Sequence, residues 1–213
     1  MIIKNATFVT SAARKDQFIR LDKPMIAVCG KSNVGKSSLI NMLANQRKLA
    51  KTSSTPGRTR LVNYFDFGEF LLADLPGYGY AAVSKAEKER WDATLRQFFE
   101  QGSDLAHVFV LVDIRHGAAE NDMAMLGLLN YYIIPFTVVF TKADKLSRMQ
   151  MNAHAQKYAG DMGLTRKNVI VTSAETRMGR EELLQKIEAA ILNARECAEN
   201  AETGSDMSES ETV

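Results

Sequence analysis

The sequence predicts a doubly wound α/β protein: a mostly parallel sheet with one antiparallel edge hairpin and helices on both faces. Three observations predict it. Met25 to Leu39 reads strand, glycine-bounded loop, helix. Short continuous apolar runs such as Val108 to Val112 alternate with helical apolar spacings, the pattern of strands buried on both faces. Short polar motifs then sit where those strands end, on the side where such sheets bind ligands.

Residues 1–24 hold a β-prone piece, Ala6 to Thr10, then a polar helical candidate from Ala12 to Phe18, and a linker closed by Pro24. Met25 to Cys29 is the first buried strand. Gly30-Lys31-Ser32-Asn33-Val34-Gly35-Lys36-Ser37 follows, with Ser38, and then Leu39, Ile40 and Leu43 at helical spacing. Strand, G-x-x-x-x-G-K-S, helix is the phosphate-binding P-loop in its confirming context. Gly30 and Gly35 permit backbone geometry that lets successive N–H groups point at phosphate oxygens, and the helix N-terminus adds partial positive charge. Lys36 is placed to reach the β- and γ-phosphates and Ser37 to ligate Mg²⁺.

Gln46 to Arg60 has no apolar period and carries Arg47, Lys48, Lys51, Arg58 and Arg60 without an acidic residue, which predicts a mobile loop. Leu61 to Phe67 and Phe70 to Ala73, joined at Gly68-Glu69, predict the hairpin. It runs into Asp74-Leu75-Pro76-Gly77, a D-x-x-G turn whose carboxylate can hold Mg²⁺ through water and whose Gly77 N–H can meet the γ-phosphate. Trp91, Leu95 and Phe98 mark a helix, as do Met125, Leu128, Leu129 and Tyr132, with the strand Val108 to Val112 between them. Phe136 to Phe140 is the next strand, followed by a polar helix from Ser147 to Met162. Val169 to Thr172 is the last strand, and Leu183, Leu184, Ile187 and Ile191 mark the last helix. From about Arg195 the chain is poor in apolar residues, so an acidic disordered tail is expected over 196–213.

Thr141-Lys142-Ala143-Asp144 follows a buried strand. An Asp carboxylate there accepts two hydrogen bonds from guanine N1–H and the 2-amino group, a pair that adenine does not offer. The Lys142 stem would lie over the base, and a backbone N–H of Thr172-Ser173-Ala174 would meet guanine O6. Together the motifs select GTP and GDP over adenine nucleotides.

Bulk properties set the outer limits. The chain has 213 residues, 46% hydrophobic and 24% charged, as in an ordinary globular domain. Its apolar runs are far too short to span a membrane, and no export signal opens it. Two cysteines, Cys29 and Cys197, give no disulfide framework and fit a reducing cytoplasm. The net charge of +2 conceals an asymmetry: Glu196 to Val213 holds six acids and no base, leaving residues 1–195 with 27 basic and 19 acidic side chains. Such a body suits a polyanionic partner, although surface lysines also serve solubility.

The motifs G-K-S-N-V-G-K-S-S-L-I-N, T-P-G-R-T-R, D-L-P-G-Y-G-Y-A, V-D-I-R-H and F-T-K-A-D-K-L occur in that order. In them, residues 1–192 resemble the EngB (YihA/YsxC) family of bacterial ribosome-assembly GTPases, in the Era-like P-loop GTPase group with its Ras-like fold. The resemblance implies GTP and Mg²⁺ binding, association with the large ribosomal subunit (rRNA and ribosomal proteins) during its maturation, and a link to cell division and septation. It also implies that the basic loop is the first switch. Gly57-Arg58-Thr59-Arg60-Leu61 is then its nucleotide-contacting stretch, and Thr59 the ligand of Mg²⁺ and the γ-phosphate. Two departures are Lys31, often Arg in the family, and Thr141, Asn in most GTPases, which removes an amide that braces the P-loop.

Lys36, Thr59 and Gly77 are the expected catalytic contacts and Ser37, Thr59 and Asp74 the expected Mg²⁺ ligands. Tyr78 stands where Ras-type enzymes carry the water-orienting Gln, so intrinsic hydrolysis should be slow, on the order of 10⁻³ per second or below. Asn33 has two readings: a K⁺ ligand standing in for an arginine finger, as its position in related GTPases resembles, or a residue that accommodates the turn. Tyr78 and Tyr80 either stack on RNA or pack against the neighbouring helix. Asp113-Ile114-Arg115-His116 either touches the switch or a partner or anchors its loop. Nothing argues against a monomer. A metabolic P-loop kinase would leave Asp144 idle; a regulatory GTPase for a non-ribosomal partner is the other competing function.

Overall fold

The computed structural model describes residues 1–19, 21–51, 61–79, 85–100 and 105–208, without the side chains of 85–92 and 201–208. Seven strands form one sheet: β1 (Thr7–Ala12), β2 (Met25–Gly30), β3 (Val62–Asp66), β4 (Leu71–Asp74), β5 (Leu105–Asp113), β6 (Phe136–Thr141) and β7 (Val169–Val171). Their order is β1-β3-β4-β2-β5-β6-β7. β4, β2, β5, β6 and β7 run parallel, whereas β3 is antiparallel to both β4 and β1. The predicted hairpin is therefore β3–β4, and β1 covers its outer side as the edge strand.

Side-chain alternation along the strands divides the core in two. Ala27, Cys29, Val108, Val110 and Phe140 pack with Leu95, Phe98 and Phe99 of α2 (Lys85–Glu100), Met125 and Leu129 of α3 (Glu120–Tyr131) and Ala155 of α4 (Arg148–Asp161). Ile26, Val28, Phe109, Leu111 and Val139 pack with Leu39, Ile40 and Leu43 of α1 (Lys36–Ala44) and Leu183, Ile187 and Ile191 of α5 (Arg180–Ser208). β2 is buried along its whole length, which fixes the P-loop that leaves its end.

Two expectations change. Ala12 to Phe18 forms only a single 3-10 turn, Lys15–Gln17, because Ala12 ends β1 and the backbone is still extended at Arg14, φ −141° and ψ 161°. The acidic segment is not structureless from Glu196: α5 continues to Ser208. Ala and Glu, good helix formers, let a packed helix propagate past its last buried residue, since elongation needs no new nucleus. Residues 209–213 lie outside the described residues.

Among the described residues no helix is long and apolar enough to cross a membrane.

Candidate functional site

The carboxyl ends of β2, β4, β6 and β7 converge on one edge. From β2, Gly30 turns at φ +154°; a Cβ there would stand 2.8 Å from Leu111 O and 2.9 Å from Val34 Cγ1. Asn33 (φ 60°) and Gly35 (φ 111°) continue the turn into α1. Gly35 is the N-cap and offers no side-chain cap, which leaves the first-turn N–H groups of α1 to an anion. Val34 is buried beneath the loop, while Lys31, Asn33 and Ser38 are exposed.

From β4, Asp74-Leu75-Pro76-Gly77 runs beside this loop. Leu75 N–H donates to Val28 O at 2.9 Å and Ser32 N–H to Tyr78 O at 2.9 Å. Gly77 lies against Lys36, whose Nζ would be 3.2 Å from a Cβ at that position. Asp74 is buried. Its Oδ1 has no hydrogen-bond partner among the described residues, with Lys36 Nζ 4.0 Å away. Burial pushes the Asp74 carboxyl up from its ordinary range, against the pull of Lys36 and an Asn63 hydrogen bond. A buried carboxylate oxygen without a hydrogen-bond partner among the described residues, at the P-loop lysine, is what a hard, oxygen-seeking cation such as Mg²⁺ fits. Gly57, Arg58, Thr59 and Arg60 lie outside the described residues; Leu61 is half-buried just ahead of β3.

From β6, Thr141 is buried and its hydroxyl donates to Val34 O at 2.7 Å. The expected loss of a brace is thus made good, because the hydroxyl reaches the P-loop carbonyl directly. Lys142 takes a left-handed conformation, φ 61°, and its Nζ donates to Asn33 O at 2.7 Å. Ala143 N–H donates to Thr172 O at 3.1 Å. Asp144 accepts from Ser173 Oγ–H at 2.7 Å and pairs with Lys145 at 3.0 Å. The Ser173 hydrogen bond, then that of Lys145, holds the Asp144 carboxyl below its usual range despite some burial. Thr172 and Ser173 are buried at the end of β7, with Ala174 half-buried beyond them. The T-K-A-D and T-S-A motifs are thereby one construction.

Three groups are connected in ways the sequence did not single out. Tyr78 is buried and donates to Asp122 Oδ1 at 2.7 Å, so the packing reading holds for it; Tyr80 lies outside the described residues. Asn41 anchors the loop after α1 by reciprocal bonds with Ala50, 2.9 and 2.8 Å. Asp113 pairs with Lys142 at 3.0 Å. Its place at the carboxyl end of β5 was the available signal.

The comparisons agree with this geometry. The sequence model of the family described as 50S ribosome-binding GTPase matches residues 25–142. The probable GTP-binding protein EngB of Pelotomaculum thermopropionicum is 46% identical over 189 residues, 88% of this chain and 96% of that one. That of Syntrophotalea carbinolica is 40% identical over 212 residues, 99% and 100% of the two chains. Two solved structures share the fold at lower identity. The crystal structure of a probable GTP-binding protein engB gives a TM-score of 0.67 at 24% identity, covering 79% of this chain and 99% of that one. Era in complex with MgGDPNP and nucleotides 1506-1542 of 16S ribosomal RNA gives 0.59 at 21%, covering 79% and 56%. With relatives this similar along nearly their whole length, and a P-loop edge built from the same motifs, the chain belongs to the EngB family of GTP-binding proteins, a family of P-loop GTPases.

Proposed function

We propose that this protein is a guanine-nucleotide switch of large ribosomal subunit assembly that hydrolyses GTP slowly, with the family's link to cell division and septation following from that role. The observation that carries the reading is Asp144 held by Ser173 on the same sheet edge as Lys36. A base-reading carboxylate and a phosphate-binding loop there face one nucleotide. The large-subunit part rests on the family's description and on the excess of basic over acidic side chains in residues 1–195.

In this reading the backbone of Gly30 to Ser38, Lys36 and Gly77 bind phosphate oxygens. Asp144 accepts from guanine, the Lys142 stem covers the base, and the Ser173-Ala174 backbone meets O6. Ser37, Asp74 and, outside the described residues, Thr59 would hold Mg²⁺, which when bound neutralises charge on the β- and γ-phosphates. No side chain need act as a general base, since phosphoryl transfer depends mainly on positioning and charge stabilisation. Tyr78 supports the slow rate: its hydroxyl is engaged by Asp122 and does not orient water. Asn33 sits at φ 60°, a conformation Asn tolerates, so the turn alone accounts for it. A K⁺ contact there is a separate proposal, removed by equal hydrolysis rates in KCl and NaCl with ribosomal particles present.

Exposed Arg47, Lys48 and Lys51 lead into 52–60, and a loop ordered by the γ-phosphate would present these cations to RNA only in the GTP state. We place the GTP-binding domain at 25–195, with 1–24 packing on it and an acidic tail from Glu196, in a cytoplasmic monomer. Co-sedimentation with 50S particles tests the switch. Binding with a GTP analogue should exceed binding with GDP and fall with salt. Equal or absent binding in both states would favour a non-ribosomal partner.

A further inference from the structure

The V-D-I-R-H stretch at the end of β5 is taken up by none of the roles above, yet its aspartate reaches the site. Asp113 Oδ2 lies 3.0 Å from Lys142 Nζ and 2.7 Å from Arg115. Its Oδ1 accepts from Arg115 Nε at 2.9 Å and from Arg115 N–H at 3.1 Å. Arg115 thus grips the carboxylate as a fork and fixes the orientation it shows to Lys142. The Asp113 side chain is only 14% exposed, so the pair is screened less than a surface ion pair. Burial opposes its charge, but the bonds from Arg115 and Lys142 hold its carboxyl well below the usual range.

The turn carrying it is itself immobilised. His116 and Gly117 N–H groups donate back to Asp113 O at 3.1 and 3.0 Å. His154 Nδ1 of α4 lies 2.9 Å from Ile114 O. Gly117, at φ +74°, rests on the Tyr158 ring so closely that a Cβ would come within 2.7 Å of it. The carboxylate is therefore a fixed point. Lys142 is not: ordering a lysine stem costs rotamer freedom, and of the two groups its ammonium meets, the Asn33 carbonyl is neutral while Asp113 carries the opposite charge.

We infer that Asp113 is a positioning residue for guanine-nucleotide binding: it draws the Lys142 ammonium into the 2.7 Å contact with Asn33 O, and so lays the Lys142 stem in place over the base before the nucleotide arrives. The inference rests on the reading of Lys142 given above. Pre-ordering of this kind raises affinity by removing an entropic cost at binding.

A double-mutant cycle on the full chain, read by titration with fluorescent N-methylanthraniloyl-GDP, tests it. Lys142→Ala and Asp113→Ala should each raise Kd, the second by about tenfold, and the double variant should be no weaker than Lys142→Ala within about twofold. Asp113→Asn, which keeps the shape and loses the charge, should fall between wild type and Asp113→Ala; it replaces Asp113→Ala in the cycle should that variant fail to fold. Additive losses would mean that Asp113 merely supports its loop, and would overturn the inference alone, as would a loss at Lys142→Ala with none at Asp113. An unchanged Kd for Lys142→Ala would overturn both the role of Lys142 and the inference.

Discussion

The Thr141 hydroxyl donates to the Val34 carbonyl at 2.7 Å, across 107 residues of sequence, and so ties the strand that ends in the base-reading motif to the middle of the P-loop. Thr141→Val keeps the shape and deletes the donor, leaving a buried carbonyl without this partner. Unfolding in urea should show a loss of about 1–2 kcal/mol, and titration a weaker grip on GDP.

Asp144 reads the base as an acceptor. Asp144→Asn replaces one carboxylate oxygen by a donor, which opposes guanine N1–H and suits xanthine. GTP affinity should fall by roughly 1–3 kcal/mol, about five- to 150-fold, while xanthosine triphosphate gains. Competition binding checks this, and unchanged preference for GTP would remove Asp144 from the recognition role.

Tyr78 and Asp122 form a buried hydrogen bond of 2.7 Å, and Asp122 Oδ2 also accepts from Ala119 N–H at 2.8 Å at the start of α3. Tyr78→Phe leaves Asp122 short of a donor in the core, so stability should drop by about 1–3 kcal/mol. If the hydroxyl plays no part in orienting water, single-turnover hydrolysis at saturating GTP should match wild type.

His107 is buried against the Phe109 ring, centroids 5.2 Å apart, and bonded to Thr137 at 2.9 Å. Burial, helped by Lys186, lowers its pKa from 6.5 to about 4. The fold therefore refuses a proton that the unfolded chain accepts below about 6.5. Stability is full above that value and declines as the pH falls towards 4. Urea midpoints should drop between pH 7 and pH 5 in wild type, and His107→Gln should flatten that part of the profile.

Much of the site was legible because its signals are local. The P-loop, D-x-x-G and T-K-A-D motifs each need a few residue types at fixed spacing beside an apolar strand, and β2, β4 and β6 end where those spacings put them. The end of α5 was not legible in the same way. A polar, acidic segment reads as unstructured by composition, but it continues a helix already nucleated by Leu183, Ile187 and Ile191.

What the sequence determined on its own was the class of sheet, the triphosphate loop and the candidate base reader, since apolar period and glycine placement constrain only the backbone nearby. What the tertiary structure decided was which polar groups meet: Thr141 with Val34, Tyr78 with Asp122, and Asp113 with Lys142. Each pair joins groups that belong to different strands or to a strand end and a helix, and their meeting depends on strand order and register, which no local pattern of residues encodes.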